Sequence, residues 1–303
     1  MPETLFFTDA DGVDVAYYRW NPDGAPRGVV LIAHGASEHG ARYNRFASFL
    51  AAKGFAVFAQ DHRGHGNTGK STGVGIAGPN GWNGVIADQH ELNVLARASV
   101  PDVPVVLFAH SMGSMMAQRY IQLYGDEIDG VVLSGSTGDM GDLAGTLELI
   151  DAIAKDAGAD APAPTFATFN EPFAPARTDF DWLSRDPAEV DKYIADPFCG
   201  DSNPLSLGYV RGLMSTLKDA WDPANESQLR KDLPVLFITG ELDPVSQQAS
   251  TVHLLEQRYR DHGLKDVTAR YYPEARHELL NETNRDDVQA DVLGWIERVT
   301  SAS

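Results

Sequence analysis

The sequence predicts an α/β protein in which helices cover both faces of a mostly parallel central sheet and a helical segment is inserted into the chain. Two observations lead to this fold class. Apolar runs alternate four times with helical patterns over residues 27–135, which favours a parallel sheet. The alternation stops over residues 138–225 and resumes at residue 233. A chain of 303 residues is long enough to bury such a core.

The elements follow from the residue types in order. The first is a hairpin, because two β-rich runs flank the turn dipeptide Asp11-Gly12. The runs at 27–35 and 55–61 are continuous and apolar, typical of strands buried on both faces, and helices such as 43–54 show apolar residues at helical spacing. The predicted strands are 27–35, 55–61, 103–110, 128–135, 233–243 and 267–273, and the predicted helices are 43–54, 84–98, 111–125 and 285–299.

The insertion is predicted to form a helical cap. Residues 138–225 contain an amphipathic pattern, a Pro- and Phe-rich loop over 161–175 and two further short helical patterns. The α/β core would then consist of residues 1–137 and 226–303. We see no internal repeat and no low-complexity segment.

Composition excludes several classes of function. The formal net charge of −19 repels nucleic acid and anionic headgroups, so we expect no nucleic-acid partner and at most transient contact with a membrane surface. Cys199 is the single cysteine, which excludes an internal disulfide and a Cys-rich zinc site. The N-terminus has no basic region before an apolar core, and no apolar run reaches 18 residues. We therefore expect no signal peptide, no membrane span and a cytoplasmic location.

A serine at the end of a predicted strand is the first candidate for chemistry. Residues 107–114 read LFAHSMGS, so Ser111 lies where a buried strand gives way to a helix. Nucleophilic serines occupy such a sharp turn, with small residues two before and two after. Those positions hold Ala109 and Gly113. This pentapeptide alone leaves a nucleophile and a structural turn serine as alternatives.

Two further residues complete a catalytic set. A serine hydroxyl is a weak nucleophile that requires a base oriented by an acid. Asp243 follows one late predicted strand and His277 follows the last, in the order serine, acid, histidine. Each alone is an ordinary turn or surface residue, but together they predict a triad. The oxyanion of an acyl-transfer intermediate also needs two backbone N–H donors, which we predict at Met112 and Ala36.

A third segment, DHRGHGNTG at 61–69, is rich in histidine and glycine. A metal site and a structural loop are the alternatives here. His62 and His65 lack a carboxylate or cysteine partner at a recognisable zinc spacing. We therefore predict a structural loop beside the site, no metal and no cofactor.

The motifs resemble those of the monoacylglycerol lipase and lysophospholipase branch of the α/β-hydrolases. The likeness covers nearly the whole chain, including the insertion at 180–197. The residues that carry it are HGASEHGARY (34–43), DHRGHGNT (61–68), AHSMGS (109–114), GELDPVS (240–246) and ARHELLNE (275–282).

The resemblance implies the α/β-hydrolase fold, the triad Ser111, Asp243 and His277, and an oxyanion hole at Ala36 and Met112. It also implies that Glu38 and Arg42 lie near the polar head of the substrate, although these two could simply pair across one helical turn. Ala109 stands where the family usually has glycine, and so does Ser114.

We therefore expect a serine carboxylic-ester hydrolase that acts on monoacylglycerols or related lysolipids through an acyl-enzyme. A carboxylesterase for small or aryl esters is an alternative. So is a proline iminopeptidase-like enzyme that uses Glu171, Asp179 or Asp181, and a non-enzymatic binding protein is a third. The cap would supply an apolar acyl pocket from Leu143, Leu147, Ile150, Phe166, Phe169, Phe173, Leu213 and Met214.

Overall fold

The computed structural model describes residues 2–164 and 166–301. Its core is one eight-stranded sheet. The strands are β1 (Leu5–Thr8), β2 (Asp14–Trp20), β3 (Gly28–Ala33), β4 (Phe55–Gln60), β5 (Val105–His110), β6 (Gly130–Ser134), β7 (Val235–Gly240) and β8 (Val267–Tyr272).

The sheet order is β1-β2-β4-β3-β5-β6-β7-β8. The β1–β2 and β2–β4 pairs are antiparallel, and all other neighbours are parallel. Every residue of β3 to β7 is buried, which explains why these strands have continuous apolar sequences. The predicted fold class and the N-terminal hairpin are confirmed.

Ten α-helices lie in the described ranges. They are α1 (Asn44–Ala52), α2 (Gly69–Thr72), α3 (Gly81–Ser99), α4 (Met112–Tyr124), α5 (Leu143–Ala157), α6 (Pro187–Ala195), α7 (Leu207–Ala220), α8 (Pro223–Glu226), α9 (Ser250–Asp261) and α10 (Arg285–Thr300).

The helices cover both faces of the sheet, and alternate strand residues point to opposite faces. Val29 and Leu31 of β3 join the cluster that includes apolar residues of α3 and α4. Val30 and Ile32 join the cluster formed with α1 and α10. Two apolar layers therefore hold the sheet between helices. None of the described helices combines the length and the apolar character needed to cross a membrane.

Helix α9 lies between β7 and β8, where the sequence predicts no helix. Helix α9 buries Val252, Leu255 and Tyr259 on one side, whereas Leu254 is 60% exposed. The apolar stripe is narrow and an exposed leucine interrupts it, so the helical period is weak.

Helices α5 to α8 lie between β6 and β7, together with short 3-10 turns that include Phe166–Phe173 and Asp181–Leu183. Helix α7 packs on α3 and α4 of the core and on α5. Trp82 Nε1 donates to the carbonyl of Tyr209 at 2.8 Å, which ties α7 to α3. The limits 138 and 225 of the cap remain a proposal, because α8 continues across residue 225.

Candidate active site

The backbone at Ser111 has the geometry of a sharp turn between strand and helix. Ser111 lies between the end of β5 and the start of α4, with φ 52° and ψ −121°. A non-glycine residue rarely adopts this conformation, and it persists where neighbouring structure enforces it. The Ser111 N–H donates to the carbonyl of Ser134 at 2.9 Å. Ser114 Oγ donates to the carbonyl of Ser111 at 2.6 Å, so Ser114 supports this turn.

The turn also requires a glycine two residues further on. A Cβ at Gly113 would lie 2.4 Å from the Ala33 carbonyl oxygen and 2.6 Å from that of His34. Both contacts are to backbone, which cannot move aside as a flexible side chain can. Ala109, which stands at a position where the family usually has glycine, is buried within β5.

Gly113→Ala is therefore expected to lower the free energy of unfolding by about 2–4 kcal/mol. Gly294→Ala on α10 is the matched control, since a Cβ there has nothing within 4 Å. That change should stabilise the protein by about 0.5–1 kcal/mol. Urea unfolding measures both values, and equal midpoints for the two variants would contradict the crowding at the turn.

Asp243 and His277 form a buried pair beside this turn. Asp243 follows β7 and His277 follows β8, and the two side chains are 0% and 2% exposed. His277 Nδ1 lies 3.0 Å from both carboxylate oxygens, so Nδ1 carries the proton that Asp243 accepts. Nε2 is then the ring nitrogen left to accept a proton from another group. Ser111 and His277 line one cavity, so the structure brings the three predicted residues into one site.

The surroundings of His277 set its protonation. Burial by itself lowers the pKa of His277, but the charge of Asp243 and its hydrogen bond outweigh burial and raise the pKa above its ordinary value. A base must be neutral to accept a proton, so a raised pKa narrows the active range from the acid side.

We expect kcat/KM for ester hydrolysis to fall as the pH drops, with an acid midpoint above about 6.5, the ordinary value for histidine. The profile should be measured with a neutral ester, so that the substrate itself does not titrate. A midpoint clearly below that of free histidine would mean that Asp243 does not stabilise the charged imidazole.

The predicted oxyanion donors have suitable positions. Ala36 and Met112 both line the cavity with Ser111. Met112 is the first residue of α4, where helical N–H groups have no partner within the helix. Neither N–H group has a hydrogen-bond partner among the described residues. Two unpaired donors beside a candidate nucleophile are what an oxyanion hole requires.

The structure pairs Glu38 with Arg42, one of the two alternatives left open by the sequence. Arg42 Nη1 donates to Glu38 and, at 2.7 Å, to Glu278. Glu38 also accepts from the N–H of Gly35 at 2.5 Å and from the Tyr43 hydroxyl at 2.8 Å. Burial alone would raise the pKa of Glu278, but Arg42 lowers it to about 2.

The same geometry weakens Arg42 as a direct substrate contact. Glu38 lines the cavity of Ser111, whereas Arg42 lines a separate cleft beside it. That cleft measures about 20 Å³ and the cavity of Ser111 about 230 Å³. A space of 20 Å³ holds about one water molecule, so it does not admit a glycerol group.

The cavity of Ser111 is largely apolar. Of the residues predicted to form an acyl pocket, Phe169, Leu213 and Met214 line it. Four other predicted residues are absent from its described lining: Leu143, Leu147, Ile150 and Phe173. The first three lie on α5, which packs against α7. The side chain of Phe166 lies outside the described part of the chain. Lining residues that were not predicted from the sequence are Gly35, His110, Met115, Met140, Trp182, Leu183, Tyr193, Leu205, Val210, Pro244, Val245, Gln247 and Glu278.

Trp182, a lining residue that was not predicted from the sequence, contacts His277 directly. Its ring centroid lies 5.1 Å from that of His277, and its carbonyl accepts the N–H of His277 at 3.4 Å. The N–H of Glu278 donates to the carbonyl of Leu183 at 2.7 Å. The segment between β6 and β7 therefore contacts the loop that carries the predicted base. A tryptophan in the pattern FDWL gives no sequence signal for this contact.

One group among the described residues could hold a metal ion. The candidate ligand atoms of His39, Asp196 and Cys199 lie within 4.8 Å of one another. His39 Nε2 and Asp196 already form a hydrogen bond of 3.0 Å, and burial raises the pKa of the Cys199 thiol. None of the three is among the described residues that line the cavity of Ser111.

The two histidines of the loop at 61–69, His62 and His65, lie apart from this candidate metal group. The rings of His62 and His65 pack against His34, with centroids 4.3 Å and 5.2 Å away. Burial lowers the pKa of His62 to about 3 and that of His65 to about 4. Both are therefore neutral at ordinary pH, and neither is among the described residues that line the cavity of Ser111.

The sheet order described above is that of an α/β-hydrolase. The serine on a strand-to-helix turn and the buried Asp–His pair are the site that such an enzyme requires. A family model described as Serine aminopeptidase, S33 matches residues 24–284. The chain belongs to this family, and it is a serine hydrolase.

Individual relatives agree with this assignment. The chain is similar to a monoacylglycerol lipase of Mycolicibacterium smegmatis, with 32% identity over 96% of this chain and 95% of that one. It is 28% identical to the monoglyceride lipase of Mus musculus over 91% of this chain and 87% of that one. A carboxyl esterase from Bacillus coagulans, solved in complex with glycerol, superposes with a TM-score of 0.88 at 27% identity over 98% of both chains.

Proposed function

We propose that the protein hydrolyses the ester bond of monoacylglycerols through an acyl-enzyme formed on Ser111. The observation that carries this proposal is the cavity. Ser111 and His277 open into a largely apolar space lined by residues such as Phe169, Leu213 and Met214. An acyl chain loses contact with water in such a space, and its carbonyl carbon is then held beside the nucleophile.

The proposed reaction uses these groups in two steps. Ser111 Oγ attacks the ester carbonyl while His277 Nε2 accepts its proton, and Asp243 stabilises the resulting imidazolium. The N–H groups of Ala36 and Met112 stabilise the oxyanion of the tetrahedral intermediate. The intermediate collapses, and His277 returns the proton to the departing alcohol. Water, deprotonated by His277, then attacks the acyl-enzyme, and the acid leaves with Ser111 restored.

The charges around the cavity favour an uncharged headgroup. No lysine or arginine is among the described lining residues, whereas Glu38 and Glu278 are. Arg42 supplies one positive charge against these two carboxylates. A phosphate headgroup would therefore be repelled by the net negative charge of the cavity. The formal charge of −19 on the whole chain would add to this repulsion. We therefore favour monoacylglycerols over lysophospholipids, in line with the names of the two curated relatives.

A peptidase is the second candidate, because the family description names an aminopeptidase. Its substrate amine would need carboxylates from the cap. Glu171, Asp179 and Asp181 are not among the described lining residues of the cavity. Asp181 instead accepts hydrogen bonds from the Arg177 N–H and the Thr178 hydroxyl, both at 2.6 Å. This arrangement gives the peptidase less support than the esterase.

The test is hydrolysis of four substrates by the protein and by Ser111→Ala. They are a monoacylglycerol, a lysophosphatidic acid with the same acyl chain, a p-nitrophenyl ester and an N-terminal proline amide. We expect the highest kcat/KM on the monoacylglycerol, at least tenfold above the lysophosphatidic acid, and no turnover by the variant. Preference for short aryl esters would support a general carboxylesterase. Preference for the amide would overturn the proposed esterase activity.

The cytoplasmic location remains a prediction from the sequence.

A further inference from the structure

The two polar backbone groups of Gly35 are both held by side chains. The Gly35 N–H donates to Glu38 Oε1 at 2.5 Å. On the other side, His34 Nδ1 lies 2.7 Å from the Gly35 carbonyl oxygen. Gly35 precedes Ala36, whose N–H is the proposed oxyanion donor outside α4. A residue that controls the Gly35 carbonyl therefore controls the peptide group that contains this donor.

The hydrogen bonds of His34 define its tautomer. The N–H of His62 donates to His34 Nε2 at 2.9 Å, so Nε2 is an acceptor and the ring proton is on Nδ1. Nδ1 then donates to the Gly35 carbonyl. Burial lowers the pKa of His34 well below its ordinary value, and the neighbouring His62 and His65 lower it further. His34 thus stays neutral in this tautomer at ordinary pH.

The peptide bond transmits this hydrogen bond to the donor. The bond between Gly35 and Ala36 is trans, since the cis bond found in the described residues is at Ala174-Pro175. In a planar trans peptide the carbonyl and the following N–H point in opposite directions. Ala36 and Ser111 line the cavity, whereas His34 is fully buried and not among its described lining residues. Fixing the carbonyl toward His34 consequently turns the Ala36 N–H away from it, toward the side of the cavity.

We propose that His34 is a positioning residue for the oxyanion hole, acting through its Nδ1–H bond to the Gly35 carbonyl. Glu38, held by Arg42 and Tyr43, fixes the other peptide group of Gly35. The close packing leaves no space for another residue type, because a Cβ at Gly35 would lie 2.8 Å from Glu38 Oε1 and 3.1 Å from Ser111 Cβ. This proposal rests on the proposed acyl-transfer function.

Two substitutions separate the two hydrogen bonds of His34. The amide of asparagine reaches about as far as Nδ1, so His34→Asn keeps a donor for the Gly35 carbonyl and loses the acceptor for His62. The amide of glutamine reaches about as far as Nε2, so His34→Gln keeps the acceptor and loses the donor. A merely structural role would make the two variants similar, whereas a positioning role separates them.

The readouts are kcat and KM on a p-nitrophenyl ester and the Ki of a trifluoromethyl ketone, whose serine adduct carries an oxyanion. Complete loss of an oxyanion donor lowers kcat by about 10²–10³-fold. We expect His34→Gln to lower kcat by about 10–100-fold and to raise the Ki of the ketone by about the same factor, with KM changed less than threefold. His34→Asn should recover most of both losses.

His65→Asn is the matched control, because it removes another buried ring but keeps a donor near the Arg63 carbonyl, which His65 Nδ1 contacts at 3.0 Å. Thermal melting checks that each variant folds. Wild-type kcat and Ki in a folded His34→Gln variant, or equal losses in the Gln and Asn variants, would overturn the proposal. Undiminished activity in Ser111→Ala would overturn the underlying function instead, so the two failures are distinguishable.

Discussion

Replacing Ser111 with alanine is expected to lower kcat for ester hydrolysis by about 10⁵–10⁶-fold, the scale seen when a triad nucleophile is removed from a serine hydrolase. The variant keeps the apolar cavity and the two oxyanion donors, so it should still bind substrate. Its melting temperature should change little, since no bulk is added at the turn. Steady-state kinetics, substrate binding and thermal melting give the three values.

Ser250→Ala is the control for this change. Ser250 is an exposed residue that begins α9, and its hydroxyl donates to the carbonyl of Gln247. The activity of the Ser250→Ala variant should equal that of the unmodified protein. Residual turnover in Ser111→Ala within tenfold of the unmodified protein would exclude Ser111 as the nucleophile.

Asp243→Asn is expected to lower kcat by about 10⁴-fold. The asparagine amide can donate to Nδ1, which favours the tautomer with the proton on Nε2, and that tautomer cannot accept the proton of Ser111. The change also removes the charge that raises the pKa of His277. The pKa should then fall, so the residual activity should persist to lower pH than in the unmodified protein.

A surface carboxylate provides the control for this second change. Asp266 pairs with Arg298 at 2.7 Å, and the two side chains are 32% and 50% exposed. Asp266→Asn should leave kcat and its pH dependence unchanged and alter the free energy of unfolding by less than about 1 kcal/mol. An Asp243→Asn variant with the same acid midpoint as the unmodified protein would contradict the pairing with His277.

The sheet and the candidate triad were predictable because they depend on local order along the chain. Ser111 and Asp243 each follow an apolar run that forms a buried strand, and His277 follows β8, the partly buried strand at the edge of the sheet. Parallel strands place their carboxyl ends at one edge of the sheet, so residues that follow such strands approach one another. Strand order and chain order therefore carry enough information to group these three residues.

The cavity lining was less predictable, since helical periodicity identifies an apolar face without identifying what it packs against. Leu147 and Ile150 share such a face on α5, yet α5 packs on α7 rather than over Ser111. Phe169 and Met214 line the cavity, as expected. Trp182 reaches His277 from a short 3-10 turn, and no sequence period points to such a turn.

Contacts between distant residues were also beyond the sequence. The pairing of Glu38 with Arg42 follows from their spacing of four, but Glu278 is 236 residues from Arg42 in the chain. The bond from His62 to His34 spans 28 residues and joins two different loops. The sequence shows histidines in both motifs without showing that they meet. Such contacts depend on tertiary packing, which the local residue pattern of one sequence does not show.

Active-site titration with a fluorophosphonate, followed by mass mapping of the labelled peptide, tests the central claim most directly. The reagent adds covalently to a serine that is activated by a neighbouring base. We expect one label per chain, on Ser111, with activity lost in proportion to labelling, and much slower labelling of Asp243→Asn. A label on a different residue, or full ester hydrolysis by protein that carries a label on every Ser111, would contradict the account.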